Sequence, residues 1–521
     1  MSGARGGAAT PAVSYRALLK HREFTALVFA QVVSGLGDQV ARVALALLVL
    51  DRSGSASLSA ATFAVSYLPL VFGGTLLGPL ADRYARHKVL LSSDGLRVVI
   101  ISLLAVLADG SVSILLLLLL LFVAELFTPV FDAAWAATLP EVLPDGRDYL
   151  VGSGLLRTLH LLQQVAGLAL GGLAVAVLGV RGALVVNAVS FIASFVILFL
   201  FLERRPAPVH EVETGGMFAD FTAGARDLFS DPVRRMLVIV GWGSVIIMIT
   251  PMAVALPYAE QVSGTASLGG LLMAATVGGA ALGAVLVSRR EPQWQVEAIL
   301  PLSTLACLPL LGVAFSPPVP IALILWAVSG AATGFLVPLI GTIALLTAPS
   351  MRGRVMALAG AGYNGLVAVF YLLAGVMADV TEPSVAITVA GVVGLLLVAI
   401  ARIFWPTRAV RRAVVAAYRD AEQAFDVASG TPVDDEVIDT LFDGVPTVTS
   451  SPDDPEPEPQ APREERARER NYVPTIEIVL PESPLTNASD GGADPLGANP
   501  PGVDPLGANA PTGDFWERFG R

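Results

Sequence analysis

Long uninterrupted apolar runs constrain this chain more than any other feature. Stretches 114–123, 184–202 and 237–249 contain no acidic or basic residue, and a helix needs only about 20 mostly apolar residues to cross a bilayer. Of the 521 residues, 54% are hydrophobic and 15% charged, whereas soluble domains carry about 25% charged residues. A soluble enzyme is therefore excluded as the default class, and an all-α integral membrane protein is expected.

Twelve spans are read, over about 24–50, 59–80, 89–108, 112–135, 154–178, 182–202, 236–258, 267–287, 298–315, 319–346, 354–379 and 383–405. The polar interruption at 203–235 divides them six and six. This predicts a cytoplasmic N-terminus (1–23), an N-terminal six-helix bundle (24–202), a linker, a C-terminal six-helix bundle (236–405) and a tail (406–521). Within the linker, Phe218, Phe221, Ala225, Leu228 and Phe229 recur at helical spacing, which predicts an amphipathic helix on the membrane surface.

Basic residues orient the spans. Placing the N-terminus inside puts Arg83, Arg86, Lys88, Arg147, Arg204, Arg205, Arg234, Arg235, Arg289, Arg290, Arg352 and Arg354 on the cytoplasmic side, and only Arg52 and Arg181 outside. A cell-membrane protein with both termini in the cytoplasm is expected. The net charge of −11 belongs to the tail: residues 406–521 hold 22 acidic and 10 basic residues, the first 405 hold 22 and 23. The tail is Pro-rich, repeats DPLGAN at 494–499 and 504–509, and has too few apolar residues to offset ordering entropy. Disorder is expected there, with a role in docking a protein partner as one reading. No basic stripe with interleaved aromatics suggests nucleic acid. One cysteine, Cys307, and four scattered histidines offer neither a disulfide framework nor a metal set.

Between spans two and three stands Gly78-Pro-Leu-Ala-Asp82-Arg83-Tyr-Ala85-Arg86-His-Lys88. This stretch resembles the cytoplasmic loop motif of the major facilitator superfamily, with Ala85 where the pattern has glycine and His87 at a basic position. The resemblance covers roughly residues 15–405 and implies the major facilitator fold and alternating access. It also implies that Asp82 caps the start of span eleven, near Gly353-Arg354, and that Arg83 pairs with Asp132 at the end of span four. Helix N-termini carry unpaired N–H groups and a positive dipole, so a carboxylate suits that place. Phe131-Asp132-Ala-Ala-Trp135, Leu139-Pro140, Gly171-Gly172, Asn187-Ala-Val-Ser-Phe191, Asp231-Pro232 and Arg352-Gly-Arg-Val-Met356 look like the branch holding macrolide and tetracycline-type efflux pumps and catecholate-siderophore exporters. The drug-antiporter pattern of span five lacks its proline here: Gln163-Gln-Val-Ala-Gly167-Leu-Ala-Leu-Gly171-Gly172.

Ionisable groups inside spans are costly and mark function by default. Asp38 and Arg42 lie one turn apart in span one, with Gln31 and Ser34 on the same stripe. They face the cavity, or lock each other as an i,i+4 pair. Glu125 in span four is either a proton carrier or the partner of Arg157, which shares a face of span five with His160 and Gln164. His160 also fits a packing role. Tyr363 and Asn364 are the polar candidates of span eleven, with Trp242, Tyr258, Glu260 and Tyr371 beside them.

These features together predict a proton-linked exporter of lipophilic drug-like or siderophore-like small molecules. It should need no cofactor beyond the proton gradient, and its expected partners are its substrate, membrane lipids and, on the docking reading of the tail, a protein. An importer or lipid translocator on the same fold is the same-class alternative; a non-transporting scaffold or sensor acting through the tail is the other. No phosphate loop or nucleophile triad suggests an enzyme.

Overall fold

The computed structural model describes residues 18–76, 83–206 and 217–405. The regular structure of these residues is all helical, with no strand among them. The motif residues Gly78 and Asp82, and the whole tail from residue 406, lie outside the described residues.

Helices α1 (Arg22–Ser53), α2 (Ala56–Leu76) and α3 (Arg86–Leu107) are followed by α4 (Ile114–Glu125) and α5 (Phe127–Val142), which run on as one apolar stretch. Next comes α6 (Gly146–Phe201), 56 residues long and broken at Gly179, whose φ of 71° and ψ of 172° are open to glycine but strained for other residues. After α7 (Met217–Ser230) come α8 (Pro232–Ala253), α9 (Ala255–Ser263), α10 (Gly269–Ser288), α11 (Pro292–Glu297), α12 (Ile299–Leu311), α13 (Val319–Ala332), α14 (Leu336–Leu345), α15 (Pro349–Val380) and α16 (Pro383–Phe404). Among the described residues nine helices are long and apolar enough to cross a membrane, and Ala56–Val71 and Ile299–Phe315 are shorter apolar ones.

The boundaries follow from capping chemistry. Asp145 starts α6 by accepting from the amides of Arg147 and Asp148. Asp231 starts α8 by accepting from those of Val233 and Arg234 at 2.7 and 2.9 Å, with Pro232 at the first helical position. Gly54 and Gly264 end α1 and α9 in the left-handed conformation. Outward faces are apolar: Leu115, Val177 and Ile403 are 75%, 71% and 77% exposed, as expected where the solvent is lipid. Cys307 is buried, its thiol donating to the Ser303 carbonyl oxygen at 3.2 Å.

Packing differs between the two ends of the molecule. Where α1 ends and α2 begins, one apolar core joins both parts of the chain: Leu47, Leu50, Ala56 and Phe63 pack with Met252, Val254, Tyr258 and Leu272. A Cβ at Gly172 would overlap the Ser267 carbonyl, and one at Gly270 that of Leu168, so backbones touch there. At the opposite end the cores separate. Leu18, Phe24, Leu139 and Leu156 pack among the first 206 residues, and Leu228, Leu237, Phe335 and Val355 pack among residues 217–405. The described part is thus closed at one end and divided at the other.

Candidate functional site

Asp38 and Arg42 reach inward from the middle of α1, where Ser34 and Gly37 are buried and let neighbouring helices approach. A Cβ on Gly37 would meet Asn187 Oδ1 at 2.5 Å, so that glycine admits the polar face of α6. Across the bundle, Glu125 ends α4 at 6% exposure.

Arg42 does not pair with Asp38. Its Nε donates to Glu125 Oε1 at 2.8 Å and its Nη2 to Oε2 at 3.1 Å, a two-pronged bond, while Thr128 Oγ1 donates to Oε2 at 2.9 Å. The alternative in which Arg157 neutralises Glu125 is also corrected: Arg157 is exposed, and Arg42 has taken the carboxylate. Both outcomes follow from burial. A carboxylate sealed among apolar side chains requires an adjacent charge and several donors, whereas Asp38 is only half-buried. Asp38 has one weak donor, Asn187 Nδ2 at 3.5 Å.

Two charged residues that the sequence reading omits complete this cluster. Asp94 and Arg97 sit one turn apart in α3, buried at 0% and 4% exposure. Ser194 Oγ donates to Asp94 Oδ2 at 2.6 Å, and Asp94 Oδ1 has no partner. The Arg97 guanidinium lies between two aromatic rings, 5.4 Å from the centre of Phe131 and 5.3 Å from that of Phe191, and its Nη2 is without a partner. The signal was available: both are ionisable residues in an apolar run. A small cavity is lined by Asp38, Arg42, Arg97, Glu125, Thr128 and Asn187. Asp132, on α5, lies within electrostatic reach of Arg97, Glu125 and Arg42, yet is itself exposed, so the cluster has an accessible side.

Asp132 forms no ion pair with Arg83 among the described residues; the expected Arg83–Asp132 bridge is not made. The pairing at that end runs through Arg86, whose guanidinium binds Glu141 and donates to the Ala137 carbonyl at 2.7 Å. Arg205 binds Glu23 at 2.7 Å beside it. Lys88 is exposed and takes part in no ion pair among the described residues. Asp132 instead faces the charge cluster because α5 places it there, two turns beyond Glu125.

The remaining candidates are spread along the same interior. Gln31 is half-buried with its Oε1 unpartnered. His160 Nδ1 is 3.2 Å from Gln163 Nε2, so the buried Gln163, not Gln164, is the neighbour that meets α1 at Gly35. Tyr363 donates to Met248 Sδ at 3.7 Å, and Asn364 beside it is half-buried. Tyr371 is buried and stacked on Phe63 and Tyr67, with ring centres 5.4 and 5.8 Å apart. Trp242 donates to the Ala359 carbonyl at 3.0 Å, and Tyr258 to that of Pro317 at 2.8 Å. Among the described residues no group of three or more His, Cys, Asp or Glu could hold a metal ion.

Comparison with known proteins agrees with this architecture. The family model described as transmembrane secretion effector matches residues 13–430. The multidrug efflux pump Tap of Mycolicibacterium fortuitum is 30% identical over 370 residues, covering 68% of this chain and 88% of that protein. Tap of Mycobacterium tuberculosis is 28% identical over 368 residues, covering 68% and 86%. Among solved structures, the nucleoside transporter NupG superposes with a TM-score of 0.59 at 12% identity over 74% of this chain and 99% of its own. A bacterial homologue of the iron transporter ferroportin, in its inward-facing state, gives 0.58 at 15% identity over 75% and 99%. At those identities the likeness is one of fold. A family model spanning most of the chain and a bundle of membrane-length helices around buried charges lead to one conclusion: the chain belongs to the transmembrane secretion effector family of the major facilitator superfamily, and is a multi-pass membrane transporter.

Proposed function

We propose that the chain is a proton-linked exporter of lipophilic small molecules, working by alternating access. The observation that carries this reading is an imbalance of charge within the cluster. Glu125 is committed to Arg42, which leaves Asp38, Asp94 and Asp132 around the single guanidinium of Arg97. Carboxylates without a counter-ion inside a membrane protein are the groups that take up and release protons as access changes. Export is supported by likeness to Tap, named a multidrug efflux pump.

Dividing α6 at Gly179 and adding the two shorter apolar helices to the nine long ones supports twelve crossings in two six-helix bundles. With the basic residues inside, the closed end is the outer one, both termini are cytoplasmic, and the divided end opens to the cytoplasm. Asp132 then stands on the path from the cytoplasm to the cluster. The gating roles of Gly78, Asp82, Arg83, Arg86 and Lys88 remain part of the same proposal, as do cavity roles for Gln31, His160, Gln164, Tyr363 and Asn364.

The test is ethidium transport by proteoliposomes under an imposed pH gradient, comparing Asp38→Asn, Asp132→Asn and Glu125→Gln. Loss of pH dependence in either Asp variant supports the reading. Ethidium flux with an unchanged pH profile in both sinks it.

A further inference from the structure

A groove faces outward where α10 ends, enclosing about 1080 Å³ of space that is partly open to the surroundings. Its floor is Gly283, Ala331 and Ala332. These residues are small because α10 and α13 cross there so closely that a Cβ at Gly283 would overlap the Ala331 carbonyl. Its walls are the apolar side chains of Leu286, Leu305 and Val328, which are 52%, 43% and 42% exposed. A cationic rim closes one end: Arg289, Arg290 and Trp294, all exposed. The Arg290 guanidinium rests 5.4 Å from the Trp294 ring centre, and its carbonyl accepts from Gln295 Nε2 at 2.7 Å. Neither arginine forms an ion pair among the described residues. Glu291, the adjacent acid, is not part of the lining.

We propose that this groove binds one anionic phospholipid, its phosphate held by Arg289 and Arg290 and an acyl chain lying along Leu286, Leu305 and Val328. The chemistry matches part by part. Two guanidiniums with free donors at a membrane boundary attract an anionic headgroup. An indole at the same depth suits the headgroup–acyl junction. Exposed apolar walls on a membrane helix match acyl chains. A zwitterionic lipid would satisfy the walls but not the rim. The inference concerns the lipid-facing surface and is independent of what the chain transports.

The experiment titrates phosphatidylglycerol, with phosphatidylcholine in parallel, into the purified full-length chain in detergent and counts bound lipid by native mass spectrometry. Wild type should retain one phosphatidylglycerol in preference to phosphatidylcholine. Arg289→Gln/Arg290→Gln should weaken that binding at least about tenfold, while Lys20→Gln/Arg22→Gln, which removes equal charge at another groove with a basic rim, should leave it within about twofold. Leu305→Trp, which narrows the groove at an exposed wall and keeps both arginines, should weaken it too; this variant decides the matter if the arginine pair fails to fold. Equal retention of both lipids by wild type, full retention by the Arg289/Arg290 variant, equal loss in both charge variants, or undiminished binding by Leu305→Trp as the deciding variant would overturn the proposal.

Discussion

Arg42 has a carboxylate one turn away on its own helix and another across the bundle, and it takes the distant one. An i,i+4 pair on a helix surface contributes only about 0.3–0.5 kcal/mol, whereas a two-pronged guanidinium–carboxylate bond is stronger and directional. The consequence is measurable. Arg42→Gln leaves Glu125 buried and unpaired, which should cost about 3–5 kcal/mol and lower the apparent melting temperature in detergent by several degrees. Glu125→Gln should act similarly, and the double variant should recover most of the loss. If the two losses simply add, the pair is not coupled. At this scale the sequence is informative about which residues matter and silent about who pairs with whom. Asp38, Arg42 and Glu125 are conspicuous as charges in apolar runs, and Asp94 and Arg97 carry the same signal in α3. Arg42's choice of Glu125, and the place of Arg97 between Phe131 and Phe191, depend on how five helices meet, which no local spacing encodes.

Helix ends decide how the two parts of the chain are held. Asp379, near the end of α15, accepts from the amides of Ala56 and Ser57 at 2.5 and 3.0 Å and from Ser55 Oγ at 2.8 Å. A residue more than 300 positions away thereby caps the start of α2, whose first amides would otherwise be unpaired. One turn earlier, a Cβ on Gly375 would meet Ser57 Cα at 2.5 Å, and Tyr371 then stacks on Phe63. Asp379→Ala removes a cap of about 1 kcal/mol, which should shift the closed–open balance roughly fivefold toward opening at that end. The check is the rate at which an impermeant maleimide labels Ser66→Cys, buried in α2 behind this contact. An unchanged rate would mean that the cap does not hold the gate. The nine membrane-length helices among the described residues were legible from the apolar runs. The cross-chain cap was not, because an aspartate at a helix end reads as surface until the partner helix is placed against it.

At the scale of the whole molecule, the all-helical membrane class was legible from the apolar runs and the composition alone. Which end stands closed was not, since one sequence serves both states of an alternating-access cycle and the closed end is a property of the state. Glycines at 172, 270 and 375 are compatible with close approach in either reading; only the structure shows that their neighbours are touching.

The closed end is built almost entirely of helix ends. Two residues join α1 to α2 and two join α15 to α16, while Gly179 alone interrupts α6. The two arginines expected there are both tied down: Arg52 binds the carbonyls of Ala108 and Val112, and Arg181 binds Asp109 at 2.9 Å. On the proposed orientation, trypsin added outside intact cells should therefore leave the chain whole, whereas inside-out vesicles present the basic segments and should be cut. Digestion read on a gel thus reports which way round each reconstituted molecule sits. Cleavage in intact cells with inside-out vesicles left whole would show that the chain is inserted the other way.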